Sequence, residues 1–389
     1  MAPTPGRAFD SGSDGSYGAL NVTTIGTNWV TMPPDGIFRC TTIYVATNCT
    51  VKFVTNGLNT PVYLLSQSSI VINGVIDVSG SDGVTNGATP TIPGPGGFGG
   101  GAAGFSGILS GNGQGPGGGG HNNSLAGPPG YGGSFGSVAQ NGPSIYGNLL
   151  LVPAIGGSGG AGMVTATLSA GASGGAGGGA ILLASSTSIT NNGKIIASGG
   201  RGIWIYSVGN YYSGGGSGGA VRIVAPIVAG SGSINVAGGT NTTYPGNYYG
   251  GNGRVRVDST TTASVNVVGN AYGSPVLSYG RSMFAFPPAL PQLYFANVAG
   301  NDISSGNSTN VVLAASSSTS QLVTLCGTNF LGTVPVQIVA TPANGSPFTT
   351  NIVLNFPAPN IGVTTNVIIN LPVGTPVQLN AYANYGVQP

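Results

Sequence analysis

The sequence predicts an all-β fold: a parallel β-solenoid carrying glycine-rich insertions, followed by a β-sandwich. Composition is the first ground. Of 389 residues, 73 are Gly and 27 Pro, only 4% are charged, and glutamate is absent. The usual helix-forming surface residues are thus nearly missing, while Val, Ile, Thr, Asn and Ser favour strands and turns. An internal repeat is the second ground, and a change of texture near residue 290 the third.

The first segment, 1–36, reads as a cap or strand segment. Its start, MAPTPGRAFD, has neither a basic nor an apolar run, so the expectation is a mature form with an added Met, or another export route. The solenoid body is expected over 37–286. IFRCTTIYVATNCTVKFV (37–54) reads as an early turn of the stack. VYLLSQSSIVINGVIDVSG (62–80), ILLASSTSITNNGKIIASG (181–199) and VRIVAPIVAGSGSINVAG (221–238) follow as copies of one unit, with a partial copy at 255–269. Each has a β-branched strand, a polar turn, a second strand and a closing glycine. Alternation at Ile70, Ile72, Ile76 and Val78 points one face inward. A unit this short cannot bury that face alone, whereas stacked units share one core. Val62, Ile181, Val221 and Val255 are then expected in one interior ladder, and Leu64, Leu183, Ile223 and Val257 in the next.

Glycine-rich blocks interrupt the units, the largest inside the insertion 83–180. Two readings stand: a flexible coil, or a pack of extended polyproline-II segments whose missing side chains let backbones approach. From 287 to 389 glycine thins out after the linker PPALPQL. LYFANV, NVVLAA, QLVTLC, PVQIVA, NIVLNF, NVIINL and VQLNAYA then read as the strands of an immunoglobulin-like sandwich, without its Cys–Trp–Cys signature.

The repeat pattern resembles the right-handed parallel β-helix of surface adhesins, autotransporter passengers and pectate-lyase-like proteins. This likeness covers roughly 37–270 and is architectural. The glycine blocks resemble the glycine-rich bundles of some antifreeze proteins and phage tail-tip adhesins.

Chemistry-bearing residues are few. No charged residue lies between Asp82 and Lys194 or after Asp302, and His121 is the single histidine. No metal site, cofactor or catalytic residue is therefore expected. A net charge of +2 gives no case for nucleic acid, and no apolar run is long enough for a membrane span. GGSGGAG (156–162) matches a dinucleotide fingerprint only by glycine content, since no helix former or acidic residue follows it. Asp10 and Asp14 read as a solvated turn. Asp77 and Asp82 are the one carboxylate pair in the body, with Asp77 outward. Arg222, Arg256 and Asp258 are expected as a surface network. For Cys40 and Cys49 a disulfide and two buried reduced thiols are both open.

The most informative constellation is aromatic. Gly-Asn-Tyr-Tyr recurs at 209–212 and 246–249, and stacked loops would gather Tyr211, Tyr212, Tyr248 and Tyr249 with Trp204, Tyr206 and Tyr244 on one flank. Such a patch packs over its own glycines, contacts a partner, or binds a glycan. The expectation is a non-enzymatic extracellular or cell-surface structural protein that assembles with itself into a fibre, sheath or layer. Two alternatives stand beside it: an adhesin holding polysaccharide on the tyrosine flank, and a β-helix polysaccharide lyase or hydrolase.

Overall fold

The computed structural model describes residues 9–104, 109–121, 129–165, 170–206, 210–240, 248–261, 264–286, 291–303, 310–314, 316–330, 332–342, 348–357 and 361–383. Among them there is no helix, and the chain divides into two units, Met1–Phe286 and Pro287–Pro389.

The first unit opens with β1 (Gly18–Val22), β2 (Gly26–Thr31), β3 (Ile37–Val45) and β4 (Cys49–Val54). The first repeat copy supplies β5 (Val62–Ser66), β6 (Ile70–Ile72) and β7 (Val75–Asp77). A short antiparallel pair, β8 (Met163–Val164) and β9 (Gly171–Ala172), precedes the second copy: β10 (Ala180–Ser185), β11 (Ser188–Asn191) and β12 (Lys194–Ile196). A hairpin, β13 (Trp204–Tyr206) and β14 (Asn210–Tyr212), leads to the third: β15 (Ala220–Val224), β16 (Ile227–Ala229) and β17 (Ser233–Asn235). Then come β18 (Arg254–Asp258), β19 (Asn266–Val268) and β20 (Val276–Gly280).

Equivalent strands of the copies pair in parallel. A ten-stranded sheet runs β16-β11-β6-β3-β5-β10-β15-β18-β20, with β1 also on β3, and curls into a half-barrel. β3 is long enough to serve two rows: Ile37–Cys40 pairs with β5 and Ile43–Val45 with β6. A second parallel sheet runs β19-β17-β12-β7-β4-β2. Register follows the repeat. Val62, Ile181, Val221 and Val255 form one ladder, and Leu64, Leu183, Ile223 and Val257 the next. All are buried in a core shared with Ile76, Ile195 and Ile234 of the second sheet. At the turn between the sheets Asn192 Nδ2 donates to Asn73 Oδ1 at 3.0 Å.

The glycine-rich segments join this stack as an ordered bundle. Successive N–H groups of 174–180 donate to three neighbours in rotation. Gly174, Gly177 and Ala180 reach the carbonyls of Gly101, Phe98 and Pro95. Gly175 and Gly178 reach Gly214 and Ser217, while Ala176 and Gly179 reach Ser81 and Val78. Residues 213–219 do the same: Ser213, Gly216 and Gly219 to Ile203, Gly200 and Ala197; Gly214 and Ser217 to Ala161 and Ser158; Gly215 and Gly218 to Tyr248 and Gly251. A donor direction that returns every third residue is the geometry of the three-residue polyproline-II turn. That helix makes no internal hydrogen bonds, so each segment satisfies its backbone only through its neighbours. Of the two sequence readings, the described residues follow the packed one.

The second unit is antiparallel. β21 (Gln292–Val298), β22 (Asn301–Asp302), β23 (Ser320–Thr328) and β26 (Val363–Asn370) form one sheet, with β24 (Gly332–Pro342), β25 (Phe348–Phe356) and β27 (Val377–Ala383) in the other. Val323, Leu325 and Ile369 from the first sheet meet Val336, Ile338 and Leu354 from the second in one core. NVVLAA, expected as a strand, is irregular at 310–314 and leaves Val312 exposed. The strand that pairs with the outer side of β21 is the two-residue β22.

A Cβ at Gly177 would overlap the carbonyl oxygen of Gly157, whereas one at Gly57 would meet nothing within 4 Å. Gly177→Ala should therefore cost about 3 kcal/mol through overpacking of the bundle. Gly57→Ala should stay within about 0.5 kcal/mol. Denaturant unfolding of the two variants measures both.

Candidate functional site

The hairpin β13–β14 seats the first copy of the aromatic repeat. Trp204 lies opposite Tyr212, Ile205 opposite Tyr211, and Tyr206 opposite Asn210. Trp204 Nε1 donates to Asn210 Oδ1 at 3.1 Å, and its ring centroid lies 6.1 Å from that of Tyr206, which is 73% exposed. Alternation along β14 sends Tyr211 inward, where it packs with Met163, Ala172, Ile203 and Ile205. Tyr212 is buried on the other side, 5.5 Å from the Tyr248 ring.

Tyr248 is the pivot of the flank. Its backbone is left-handed, with φ +64°, an uncommon conformation for a bulky side chain. Its N–H donates to Gln140 Oε1 at 2.6 Å. Its ring lies between Tyr212 and Tyr131, the latter 6.1 Å away. Burial, with Tyr131 and Tyr212 adding to it, raises its hydroxyl above the usual phenol range. Tyr249 is buried and its ring lies 6.0 Å from the exposed Tyr272. Tyr244 lies outside the described residues.

The structure thus splits the predicted patch. Tyr212 and Tyr248 come together, Trp204 and Tyr206 form a second pair, and Tyr211 belongs to a small core. Tyr131 and Tyr272 were not legible as members, because neither lies in a repeated segment. What the Tyr131–Tyr248–Tyr212 row offers chemically is flat apolar faces bordered by hydroxyls, suited to a sugar ring or another protein surface.

The charged candidates are structural in their contacts. Arg222 and Arg256 lie side by side on β15 and β18, as the repeat implies, but the network is buried rather than on the surface. Residues 282–286 cover it. Arg222 Nη1 donates to the Ala285 carbonyl at 3.3 Å, Nη2 to that of Ser282 at 3.2 Å, and the guanidinium sits 4.7 Å from the Phe284 ring centre. Asp258 receives Arg256 Nη2 at 2.7 Å, Arg222 Nη2 at 3.3 Å and the Ser282 N–H at 3.0 Å. Burial depresses the Arg222 pKa, and the Asp258 carboxylate opposes that shift.

Asp77 and Asp82 have separate partners. Asp77 is mostly covered and bonds Lys52 Nζ at 2.9 Å, its register neighbour on β4, as well as the Ser79 N–H at 2.9 Å. Asp82 accepts the Arg201 N–H at 2.7 Å. Asp10 and Asp14 cap the Gly12 and Ser16 amides, each at 2.9 Å. Cys40 and Cys49 are free and buried. Burial pushes the Cys40 thiol up to about 12, far from a reactive thiolate. Among the described residues no group of three or more His, Cys, Asp or Glu is placed to hold a metal ion, and no helix is long and apolar enough to cross a membrane. Comparison with family models, curated proteins and solved structures finds no match to this chain.

Removing the carboxylate charge would leave two buried guanidinium groups without a counter-ion. Asp258→Asn should cost about 3–5 kcal/mol, read as a lowered unfolding midpoint. Asp302→Asn, on an exposed strand end, should change stability by no more than about 0.5 kcal/mol.

Proposed function

We propose that the chain is a non-enzymatic structural protein of the cell exterior, a rigid and nearly uncharged building block that assembles with itself into a fibre, sheath or layer. In this reading the two parallel sheets are a β-solenoid and the second unit an immunoglobulin-like sandwich. The observation that carries it is the use of all seven acidic side chains. Asp10, Asp14 and Asp82 accept backbone amides. Asp35 and Asp77 pair with Arg39 and Lys52. Asp258 anchors the arginines, and Asp302 accepts from Asn297 Nδ2 at 2.8 Å. Acid–base catalysis needs a carboxylate aimed at a substrate, and each of these is aimed at its own chain. A surface this poor in charge also lacks the repulsion that keeps monomers apart.

The Tyr131–Tyr248–Tyr212 row favours a second reading, an adhesin that holds a polysaccharide. Strained backbone at a bulky residue clusters at functional sites, and Tyr248 is such a residue. A β-helix lyase or hydrolase is the third reading, and Asp77 and Asp82 are each engaged by partners within the chain.

Electron microscopy of the full chain over a concentration series tests the first reading, with regular filaments or sheets expected. Discrete particles at every concentration would contradict it. Such particles retaining a polysaccharide, with retention lost in Tyr248→Ala, would favour the adhesin.

A further inference from the structure

The strand rows end in two open edges. β2 lies at one edge of the six-stranded parallel sheet and β19 at the other, while β20 ends the curled sheet. Native proteins guard such edges with lysine, proline or a bulge. None of these protects GTNWVT (β2), NVV (β19) or VLSYG (β20), which carry no charge and no proline. Among the described residues the local cover is confined to side chains: Asn28 Nδ2 donates to the Thr24 and Gly26 carbonyls, the Tyr279 hydroxyl accepts the Val265 N–H beside β19, and Ser278 Oγ of β20 donates to the Leu149 carbonyl. Large apolar side chains collect at the same places. Trp29 is 64% exposed on β2, Val268 40% on β19 and Tyr279 48% on β20.

We propose that these ends dock on each other in successive copies of the chain, β19 of one copy pairing in parallel with β2 of the next. This rests on the self-assembling reading above and names its interface. Two features point to a second copy as the occupant. Outward-facing rows run unbroken through the sheet, from Thr27 through Thr50, Val75, Lys194 and Ser233 to Asn266, and from Trp29 through Lys52, Asp77, Ile196 and Asn235 to Val268. Continuing the register across the junction places Val268 against Trp29 and Asn266 against Thr27, apolar on apolar and neutral polar on neutral polar. The strands also begin with β1 in the row β1–β3–β6–β11–β16, in which the Ile43–Val45 half of β3 lies between β1 and β6, and end with β20 in the preceding row of the winding order. The next strand in that order is therefore another β1, followed by another β2 lying on β19. A head-to-tail contact that repeats without closing on itself produces a filament.

Paired charge variants of the full chain test the junction by sedimentation velocity. Thr27 and Asn266 are exposed, and their row neighbours Thr50 and Ser233 are neutral. Thr27→Lys with Asn266→Lys sets like charges across the junction and should weaken association at least tenfold at low salt. Thr27→Lys with Asn266→Asp should restore it, and the restoration should fade as salt is raised. Thermal melts that match the parent chain establish that both variants fold. A parent chain that assembles while the Lys/Lys variant assembles equally well would overturn this junction and leave the self-assembling reading standing. A parent chain that stays monomeric at every concentration would overturn both.

Discussion

Close approach of glycine backbones is the constraint on which the first unit depends. A polyproline-II segment has no hydrogen bonds of its own, so its amides need partners in neighbouring segments. Those partners come within bonding distance only where no Cβ intervenes. In 174–180 and 213–219 each donor finds a carbonyl at 2.6–3.0 Å, and most of the residues that would otherwise block it are glycine. The parallel strands supply the other half of the arrangement. β10, β15 and β18 follow directly on bundle segments, so the strand register fixes the height at which each glycine segment enters.

This construction explains the chemistry as well as the shape. Backbone bonding throughout the bundle leaves little work for polar side chains, which accounts for a body with so few charges. The buried charges and a pair of serines hold covering segments in place. Arg222, Arg256 and Asp258 tie residues 282–286 to the outer face of the curled sheet, while Ser11 and Ser13 tie the other end of the unit to the carbonyls of Ser66 and Cys40. The tyrosines adjoin the bundle, with the Tyr131 carbonyl accepting from Ala161 and the Tyr248 carbonyl from Gly215.

Much of this was legible in the residues. Alternation at Ile70, Ile72 and Ile76 and the spacing of the copies set the ladder through Val62, Ile181, Val221 and Val255, because period-2 patterning fixes both face and register. The adjacency of Arg222 and Arg256 followed from the same alignment. Their burial did not, since the residues that cover them lie outside the repeat. The order of the glycine bundle was only one of two readings, because its contacts join segments far apart in the chain and no local pattern encodes which carbonyl a given amide will meet. Tyr131 and Tyr272 escaped for the same reason. In the second unit NVVLAA has strand composition yet is irregular, a case of tertiary context overriding β-propensity.

Amide hydrogen exchange of the glycine segments, resolved by residue, tests the central claim most directly. If the bundle is held by interlocked backbone bonds, the amides of Gly174–Gly179 and Gly214–Gly219 exchange as slowly as those of the buried strand β15. Exchange at the rate of an open chain, with β15 still protected, would contradict it and return these segments to flexible loops on a β core.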